Sequence, residues 1–285
     1  MGGIRLKTAA GKIQCGPYTL DFTKKTYVMG ILNVTPDSFS DGGKFNEIER
    51  AVEHAKEMVE NGADVIDVGG ESTRPGHTVI SVEDEIKRVV PVIEALVKHV
   101  EVPISIDTYK AEVAKQAIKA GAHIINDIWG AKADDQMASV AAEYDVPIIL
   151  MHNRHERDYQ NFVRDVINDI FESVMMVKKA GVKDDKIILD PGIGFAKDYH
   201  ENILMMQNLD KLVMLGYPVL LAASRKRMIG EALGLPVDER MEGTGAVHCY
   251  GIQKGCQMIR VHDVKEISRM AKMMDAMMGK GEVRG

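Results

Sequence analysis

The hydrophobic positions of this chain form short apolar runs that alternate with amphipathic segments. Each run is nearly continuous in apolar residues, which is typical of strands buried on both faces of a parallel sheet. Eight such runs, separated by helical patterns, predict an α/β fold: a (β/α)8 TIM barrel over about residues 26–280, within a single domain of residues 1–285. The runs are residues 27–33, 63–70, 103–107, 123–128, 147–152, 186–194, 218–224 and 258–264.

An open, doubly wound sheet is the alternative topology, because it also alternates strands with helices. Its dinucleotide-binding form carries GxGxxG after the first strand, whereas the first run here continues into NVTPDSFSDGG at residues 33–43. The barrel is therefore the favoured topology.

Elements around the barrel can also be placed from the pattern. Residues 13–24 predict a β-hairpin that precedes the barrel and covers one of its ends. The first barrel helix is predicted to begin with Asn46 as its N-cap and Glu49 in the capping-box position, and to stop near Gly62.

Two later helices have unusual features. The helical stripe of residues 81–99 encloses Pro91, so a kink is predicted there. The last helix carries a methionine stripe, for which core packing is the favoured interpretation and a subunit interface the alternative. The stripe consists of Met270, Met273, Met274, Met277 and Met278.

Composition narrows the class of partner. The chain has 285 residues, 45% of them hydrophobic, and a formal net charge of -6. This charge argues against nucleic acid or an anionic membrane as the main partner, since both attract basic surfaces. An anionic ligand would have to be held by a local cluster of cations.

Cysteine usage and the chain start bear on the compartment. Cys15, Cys249 and Cys256 form no CxxC pair and are odd in number, which disfavours a disulfide scaffold or a structural zinc site. The start MGGIRLKTAA has no apolar signal region, and no run approaches the roughly 18 apolar residues of a membrane span. We therefore expect a soluble protein of the cytoplasm.

Polar residues stand at or just beyond the carboxyl end of every apolar run. In a barrel these ends meet at one mouth, where the active sites of this fold lie. Singly, each has a structural explanation: Asp107 or Asp190 could cap a helix, and His152 could be a hydrogen-bonded core histidine. The set is Asn33, Asp67, Glu71, Asp107, Asn126, Asp127, His152, Asp190, Ser224, Lys226, Arg260 and His262.

Together these groups indicate a ligand, because unpartnered charges in a half-buried ring cost several kcal/mol. Two carboxylates, an amide and a lysine suit a flat heterocycle with adjacent N–H donors and a carbonyl, such as an aminopyrimidinone edge. Arg260 and His262 lie two apart on one strand and so face the same way, which predicts an anion clamp for a phosphate beside Asn33.

Two loops flank the predicted mouth. Residues 35–43 could grip an anion or form an ordinary connection, and Arg74 could close over the mouth or remain solvated. We expect residues 35–43 to be displaced or disordered without substrate.

Seven strings along the chain resemble the dihydropteroate synthases, which are pterin-binding enzymes. The resemblance extends from Tyr27 to Val264, and the strings stand in the expected order. They are MGILNVTPDSFSDGG, DVGGESTRPG, SIDTYK, INDIWG, LDPGIGF, SRKR and IRVHDV.

This resemblance implies a barrel enzyme that joins 6-hydroxymethyl-7,8-dihydropterin diphosphate to 4-aminobenzoate, yielding dihydropteroate and pyrophosphate for folate synthesis. It further implies a Mg²⁺ ion, inhibition by sulfonamides and a homodimer, although the sequence itself leaves the oligomeric state open.

The resemblance also implies roles for individual residues. The pterin would be bound by Asp107, Asn126, Ile128, Met151, Asp190 and Lys226. The diphosphate would be bound by Asn33, Arg260 and His262, with Asn33 also facing the metal. The aminobenzoate would be bound by Phe39, Thr73, Arg74, Pro75, Phe195 and Arg227. Many relatives carry a small hydroxyl residue at the position of Arg227, so the group that binds the benzoate carboxylate is open.

The implied chemistry is electrostatic. An aniline nucleophile is neutral at pH 7 and needs no strong base, which agrees with the absence of a nucleophile–histidine pattern. The catalytic residues would be Asp107, Asp190, Lys226, Arg260 and His262, acting on charge at the pterin and the leaving pyrophosphate. Two alternatives are a methyltetrahydrofolate:corrinoid methyltransferase and a non-catalytic pterin or nucleotide carrier; residues 33–43 and the Arg260–His262 pair weigh against the first.

Overall fold

The structure, a computed structural model, describes residues 11–34, 44–71 and 79–280. It begins with an antiparallel hairpin of β1 (Lys12–Cys15) and β2 (Tyr18–Asp21). The turn uses Gly16 at φ +57°, a backbone conformation that glycine adopts without strain. The predicted hairpin is therefore confirmed.

Eight parallel strands follow within the described residues. Their order in the sheet is β8-β7-β6-β5-β4-β3-β10-β9. A parallel bridge between Leu189 and Val219, with Leu189 N–H donating to the carbonyl of Pro218 at 2.9 Å, brings the two edges together. The predicted (β/α)8 barrel is confirmed. The strands are β3 (Tyr27–Asn33), β4 (Val65–Gly69), β5 (Ile104–Asp107), β6 (Ile124–Asp127), β7 (Ile148–Met151), β8 (Ile187–Asp190), β9 (Leu220–Leu221) and β10 (Met258–Val261).

Helices alternate with these strands. Within the described residues, short 3-10 helices lie at Asp184–Lys186 and Val237–Glu239. Among the described helices, none has the length and hydrophobicity needed to cross a membrane. The α-helices are α1 (Lys44–Glu60), α2 (Val82–Leu96), α3 (Ala111–Lys119), α4 (Met137–Glu143), α5 (Phe162–Lys179), α6 (Tyr199–Gln207), α7 (Leu209–Val213), α8 (Arg227–Leu233), α9 (Met241–Gln253) and α10 (Val264–Met277).

Some predicted boundaries are wrong. Helix α1 begins at Lys44, so Asn46 lies inside the helix and is not its N-cap. Lysine and phenylalanine are acceptable helix residues, and they extend the helix upstream of the preferred capping type. Helix α2 runs through Pro91 without interruption, and the predicted kink stays a prediction. Strand β8 ends at Asp190 because Pro191 and Gly192 break it.

The core has two parts. One lies between the strands and the surrounding helices, and the other fills the barrel interior below the mouth. The hairpin covers this second part: Ile13 and Leu20 pack with Met29 and Ile188. Because apolar residues fill both sides of the strands, the sequence reads as continuous apolar runs rather than as an alternation.

The methionine stripe of α10 is only partly in the core. Met270 and Met274 pack against it, but Met273 and Met277 are 58% and 63% exposed. Met278 is also exposed. The prediction of core packing is thus wrong for these last three, because a second stripe supplies the buried face of the helix. That stripe is Val264, Ile267, Ala271 and Asp275.

Asp275 is buried because it binds the start of the first barrel strand. Its Oδ2 accepts from Thr26 N–H and its Oδ1 accepts from the Thr26 hydroxyl, both at 2.7 Å. We expect Asp275→Ala to lower the free energy of unfolding by about 2 kcal/mol, measured by urea denaturation, since two buried donors lose their acceptor. Glu53→Ala, on the exposed face of α1, is the control. Equal stability losses in the two variants would contradict this role.

Candidate active site

The carboxyl ends of the strands bring polar side chains to one level of the barrel. In the strand register, Asn33 pairs with Gly69, Gly69 with Asp107, and Asp107 with Asn126. Farther round the sheet, Asp190 pairs with Met151. Each apolar run stops where the chain reaches the mouth, so the residue after it is the first that can face a ligand.

An arginine joins two buried carboxylates at this level. Arg260 Nε donates to Asp67 Oδ2 at 2.6 Å, and its Nη2 donates to Asp107 Oδ2 at 2.7 Å. Asn126 Nδ2 donates to the same Asp67 oxygen at 3.1 Å. Among the described residues, no hydrogen bond is made to Asp67 Oδ1 or Asp107 Oδ1, which are buried. Two buried acceptor atoms beside Arg260 are therefore left without a donor, although buried polar atoms are usually paired.

The Arg260 side chain retains donor capacity. It is 16% exposed, and its Nη1 has no hydrogen-bond partner in the part of the chain that the structure describes. His262, the other half of the predicted clamp, instead has its Nδ1 2.9 Å from the Ser224 hydroxyl. The two members of the clamp thus have different partners in this structure.

Burial raises the pKa of two carboxyl groups in the mouth. The pKa of Asp107 rises to about 7, against the lowering effect of Arg260. The pKa of Asp190 rises to about 6, against the lowering effects of the Gly192 N–H and Lys226. Such groups are poised to gain a hydrogen-bond donor or a positive charge from a ligand.

The loop after β8 approaches the preceding strand end closely. Gly192 N–H donates to Asp190 Oδ1 at 2.7 Å, and Gly192 has φ +67°. A Cβ at this position would lie 2.0 Å from the carbonyl oxygen of His152, so only glycine fits. Farther along the loop, the Phe195 ring lies 4.3 Å from Lys226 Nζ, within range of a cation–π contact.

The segment that carries Lys226 is tied to the end of β10. Arg225, at φ +55°, donates from Nε and Nη2 to the two carboxylate oxygens of Asp263 at 3.0 and 2.5 Å. Arg227 lies apart from this network: its side chain is 89% exposed and forms an ion pair with Glu231. Lys226 thus belongs to the mouth, whereas its neighbour faces solvent.

The remaining predicted residues divide into two groups. Ile128 and Met151 are buried beside the strand ends, and Asn33 is exposed at the end of β3. Four predicted residues, and the expectation about residues 35–43, lie outside the described residues. These four are Phe39, Thr73, Arg74 and Pro75.

Asp67 and Lys197 are the main residues to which the sequence assigns no role. The sequence places Asp67 among the strand-end carboxylates but names no partner for it. Lys197 is buried, and its only signal in the sequence is its position two residues after Phe195 and directly before Asp198, the N-cap of α6.

Comparison with known proteins agrees with this geometry. Residues 29–262 match the family described as pterin binding enzyme. The chain is 62% identical to the dihydropteroate synthase of Bacillus subtilis over 271 residues, which is 95% of each chain. Its fold resembles that of Clostridium difficile dihydropteroate synthase in the presence of pteroic acid, with a TM-score of 0.89, 49% identity, and coverage of 90% of this chain and 98% of the other. Xanthomonas albilineans dihydropteroate synthase with 4-aminobenzoic acid also gives 0.89, with 39% identity over 94% and 98% of the two chains.

The chain therefore belongs to the pterin-binding enzyme family, whose barrel and polar strand ends it shares. Within that family it falls among the dihydropteroate synthases, which are transferases. The resemblance predicted from the seven strings is confirmed, and so are the enzyme class and the reaction that it implied.

Proposed function

We propose that this barrel mouth is where the chain joins 6-hydroxymethyl-7,8-dihydropterin diphosphate to 4-aminobenzoate. The observation that carries the proposal is Asp107 Oδ1, a buried carboxylate oxygen with no hydrogen-bond donor among the described residues, although Arg260 donates to the other oxygen of the same carboxylate. A pterin presents adjacent N–H groups on one edge and so supplies the donor that this acceptor needs.

The pterin-binding residues we propose are those predicted from the sequence. Asp107 and Asp190 accept N–H groups, Asn126 donates or accepts, and Lys226 donates to the ring carbonyl. The apolar walls are Ile128 and Met151, which are buried next to these groups.

The diphosphate side is proposed to use Arg260, His262 and Asn33. Arg260 keeps one nitrogen, Nη1, without a hydrogen-bond partner among the described residues, and Asn33 is exposed at a strand end. A bound Mg²⁺ would neutralise charge on the diphosphate. Among the described residues there is no cluster of three or more His, Cys, Asp or Glu side chains, and Asn33 offers one amide oxygen. These protein ligands fit a Mg²⁺ ion that is coordinated mainly by the phosphate oxygens of the substrate.

The aminobenzoate side is proposed to use Phe195, and its contact with Lys226, a proposed pterin residue, supports this. Arg227 is solvent-accessible and remains a proposed partner for the benzoate carboxylate. The sequence resemblance adds Phe39, Thr73, Arg74 and Pro75, which lie outside the described residues.

The reaction is a displacement at the methylene carbon next to the pterin ring. The lone pair of the aniline nitrogen forms the new C–N bond, the C–O bond breaks, and its electron pair leaves on pyrophosphate. The nitrogen then loses one proton to water or to pyrophosphate. Asp107 and Asp190 stabilise positive charge on the pterin, and Arg260 with His262 stabilises negative charge on the leaving group.

A coupled assay tests this function. Incubating the protein with both substrates and Mg²⁺ should release one pyrophosphate per dihydropteroate formed, and omitting 4-aminobenzoate should abolish product. Release of no pyrophosphate while pterin still binds would favour a non-catalytic carrier. Methyl transfer from methyltetrahydrofolate to a corrinoid would favour the methyltransferase alternative.

The raised pKa values of Asp190 and Asp107 give a pH dependence. We expect the affinity for 7,8-dihydropterin without its diphosphate, measured by calorimetry, to fall at least about tenfold between pH 7 and pH 5, because Asp190, with a pKa of about 6, and Asp107, with a pKa of about 7, both protonate over this range and lose acceptor capacity. Omitting the diphosphate removes its own titration from the experiment. Constant affinity over this range would show that the Asp190 carboxylate does not bind the pterin.

Several coarser features are also proposed. We propose that residues 1–285 form one domain. We also propose that the protein is cytoplasmic, is inhibited by sulfonamides and forms a homodimer. Exposed apolar side chains on α5 and α10, including Phe171, Met175, Met273 and Met277, support a dimer, which sedimentation equilibrium would detect.

A further inference from the structure

A buried lysine lies behind the loop that follows β8. Its ammonium, Lys197 Nζ, lies 3.0 Å from the carbonyl oxygen of Gly192, 3.0 Å from that of Phe195 and 2.8 Å from His152 Nδ1. An ammonium has three N–H donors, so these three acceptors satisfy it completely.

This arrangement fixes the tautomer of His152. Because Lys197 donates to Nδ1, the ring proton is on Nε2, which lies 3.0 Å from Asp169 Oδ2. Burial lowers the pKa of His152 to about 4, so the ring is neutral near pH 7. If Lys197 were neutral and accepted a proton from Nδ1, then Nε2 would bring a lone pair against the Asp169 carboxylate. Burial lowers the pKa of Lys197 to about 7, and the contacts with two carbonyls and His152 favour its charged form beside a neutral histidine.

Asp169 is held independently of this histidine. Arg154 donates to it from Nε at 2.6 Å and from Nη2 at 3.1 Å. Burial acts to raise the pKa of Asp169, but its hydrogen bonds with His152 and Arg154 lower the pKa overall, so it stays ionised. The histidine thus connects a fixed carboxylate on α5 to the lysine behind the loop.

The two carbonyls bound by Lys197 belong to residues that shape the proposed site. Gly192 is held on both sides, since its N–H donates to Asp190 and its carbonyl accepts from Lys197. Phe195 likewise has its carbonyl on Lys197 and its ring against Lys226. Displacing these carbonyls would move both Asp190 and the aromatic wall.

We propose that Lys197 is a positioning residue, which acts with Nε2-protonated His152 to hold the loop of residues 191–196 so that Asp190 and Phe195 face the substrates. This inference rests on the proposed function, because it assigns those two residues to the site. Lys197 itself lies behind the loop and need not contact substrate.

Two histidine variants separate this role from a general structural one. In His152→Asn, the side-chain oxygen can occupy the place of Nδ1 and accept from Lys197, but the contact with Asp169 is lost. In His152→Gln, the longer amide can reach Asp169 but leaves Lys197 without its third acceptor. We expect His152→Asn to stay within about threefold of wild type in kcat and in KM for 4-aminobenzoate. His152→Gln and Lys197→Met should each lose about tenfold in kcat and gain severalfold in that KM.

Lys186→Met is the matched control. Lys186 is also buried, but it donates to the carbonyls of Gln14 and Asp145 at the hairpin end of the barrel, at 3.0 and 2.8 Å. Its loss should lower the melting temperature without changing kcat or KM. Melting curves for all four variants separate unfolding from altered kinetics.

Binding of pteroic acid, measured by calorimetry, tests the inference without turnover. Affinity should fall about tenfold in Lys197→Met and His152→Gln only. If the wild-type protein released no pyrophosphate, the proposed function would fail, while this pattern would still support the positioning role. Wild-type kinetics and affinity in Lys197→Met, or a milder defect in His152→Gln than in His152→Asn, would overturn it.

Discussion

Asp190→Asn is expected to lower kcat by a factor of about 10² to 10³, while the KM for 4-aminobenzoate changes no more than about threefold. In the wild-type protein, Gly192 N–H donates to Asp190 Oδ1 at 2.7 Å. Asparagine has nearly the same size and keeps an oxygen that can accept this hydrogen bond. The substitution removes the negative charge that would stabilise positive charge on the pterin methylene. The loss should therefore appear in turnover rather than in binding of the second substrate.

Asp275→Asn controls for the loss of a buried carboxylate. Asp275 also accepts from a backbone N–H at 2.7 Å, but at the start of β3, opposite the mouth. This variant should lose stability and keep its kcat. A near wild-type kcat in Asp190→Asn would remove Asp190 from the electrostatic mechanism.

Arg260→Met is expected to lower both stability and pyrophosphate affinity. The arginine neutralises Asp67 and Asp107, and removing one partner of a buried charge network costs about 3–5 kcal/mol. Pyrophosphate should bind at least about tenfold more weakly, since a charge-assisted donor is lost. Denaturant unfolding and calorimetry measure the two effects.

The stability loss should depend on pH. Burial already raises the pKa of Asp107 to about 7, and loss of Arg260 removes an interaction that lowers it. A carboxyl group whose pKa is higher in the folded state stabilises the fold below its unfolded pKa, and this stabilisation is lost as pH rises through the folded pKa. The free energy of unfolding of Arg260→Met should therefore fall more steeply than that of wild type between pH 4 and pH 8.

A second substitution separates charge balance from ligand binding. Asp67→Asn added to Arg260→Met removes one unpaired buried charge and should restore part of the stability, but not the pyrophosphate affinity. Unchanged pyrophosphate binding in either variant would exclude Arg260 from the diphosphate site.

The barrel could be predicted from sequence because its strands are buried on both faces. A strand such as residues 27–32 is apolar along its whole length because both of its faces are buried. This pattern can be recognised without knowing which strands lie beside it. Boundaries that depend on local capping were less predictable: Asn46 has the right side chain for an N-cap, yet α1 begins at Lys44. The methionines of α10 have the helical spacing that is typical of a buried stripe. In the structure, however, Val264 and Ile267 lie on the buried face of this helix.

The candidate site was predictable as a set of residues but not as a network. Strand ends converge in a barrel, so Asp107, Asn126 and Asp190 can be grouped by their positions in the sequence alone. Sequence does not show which charges pair, and Arg260 meets Asp67 from 193 positions away in the chain. Lys197 could not be recognised because its role depends on three acceptors brought together only by folding.

A crystal structure of the protein with pteroic acid would test the central claim most directly. We expect the pterin ring at the barrel mouth, with its N–H edge about 2.7–3.1 Å from the carboxylate oxygens of Asp190 and Asp107 and its carbonyl on Lys226. A pterin bound elsewhere, or bound at the mouth without contacting either carboxylate, would contradict the assignment of this ring of strand-end residues as the substrate site.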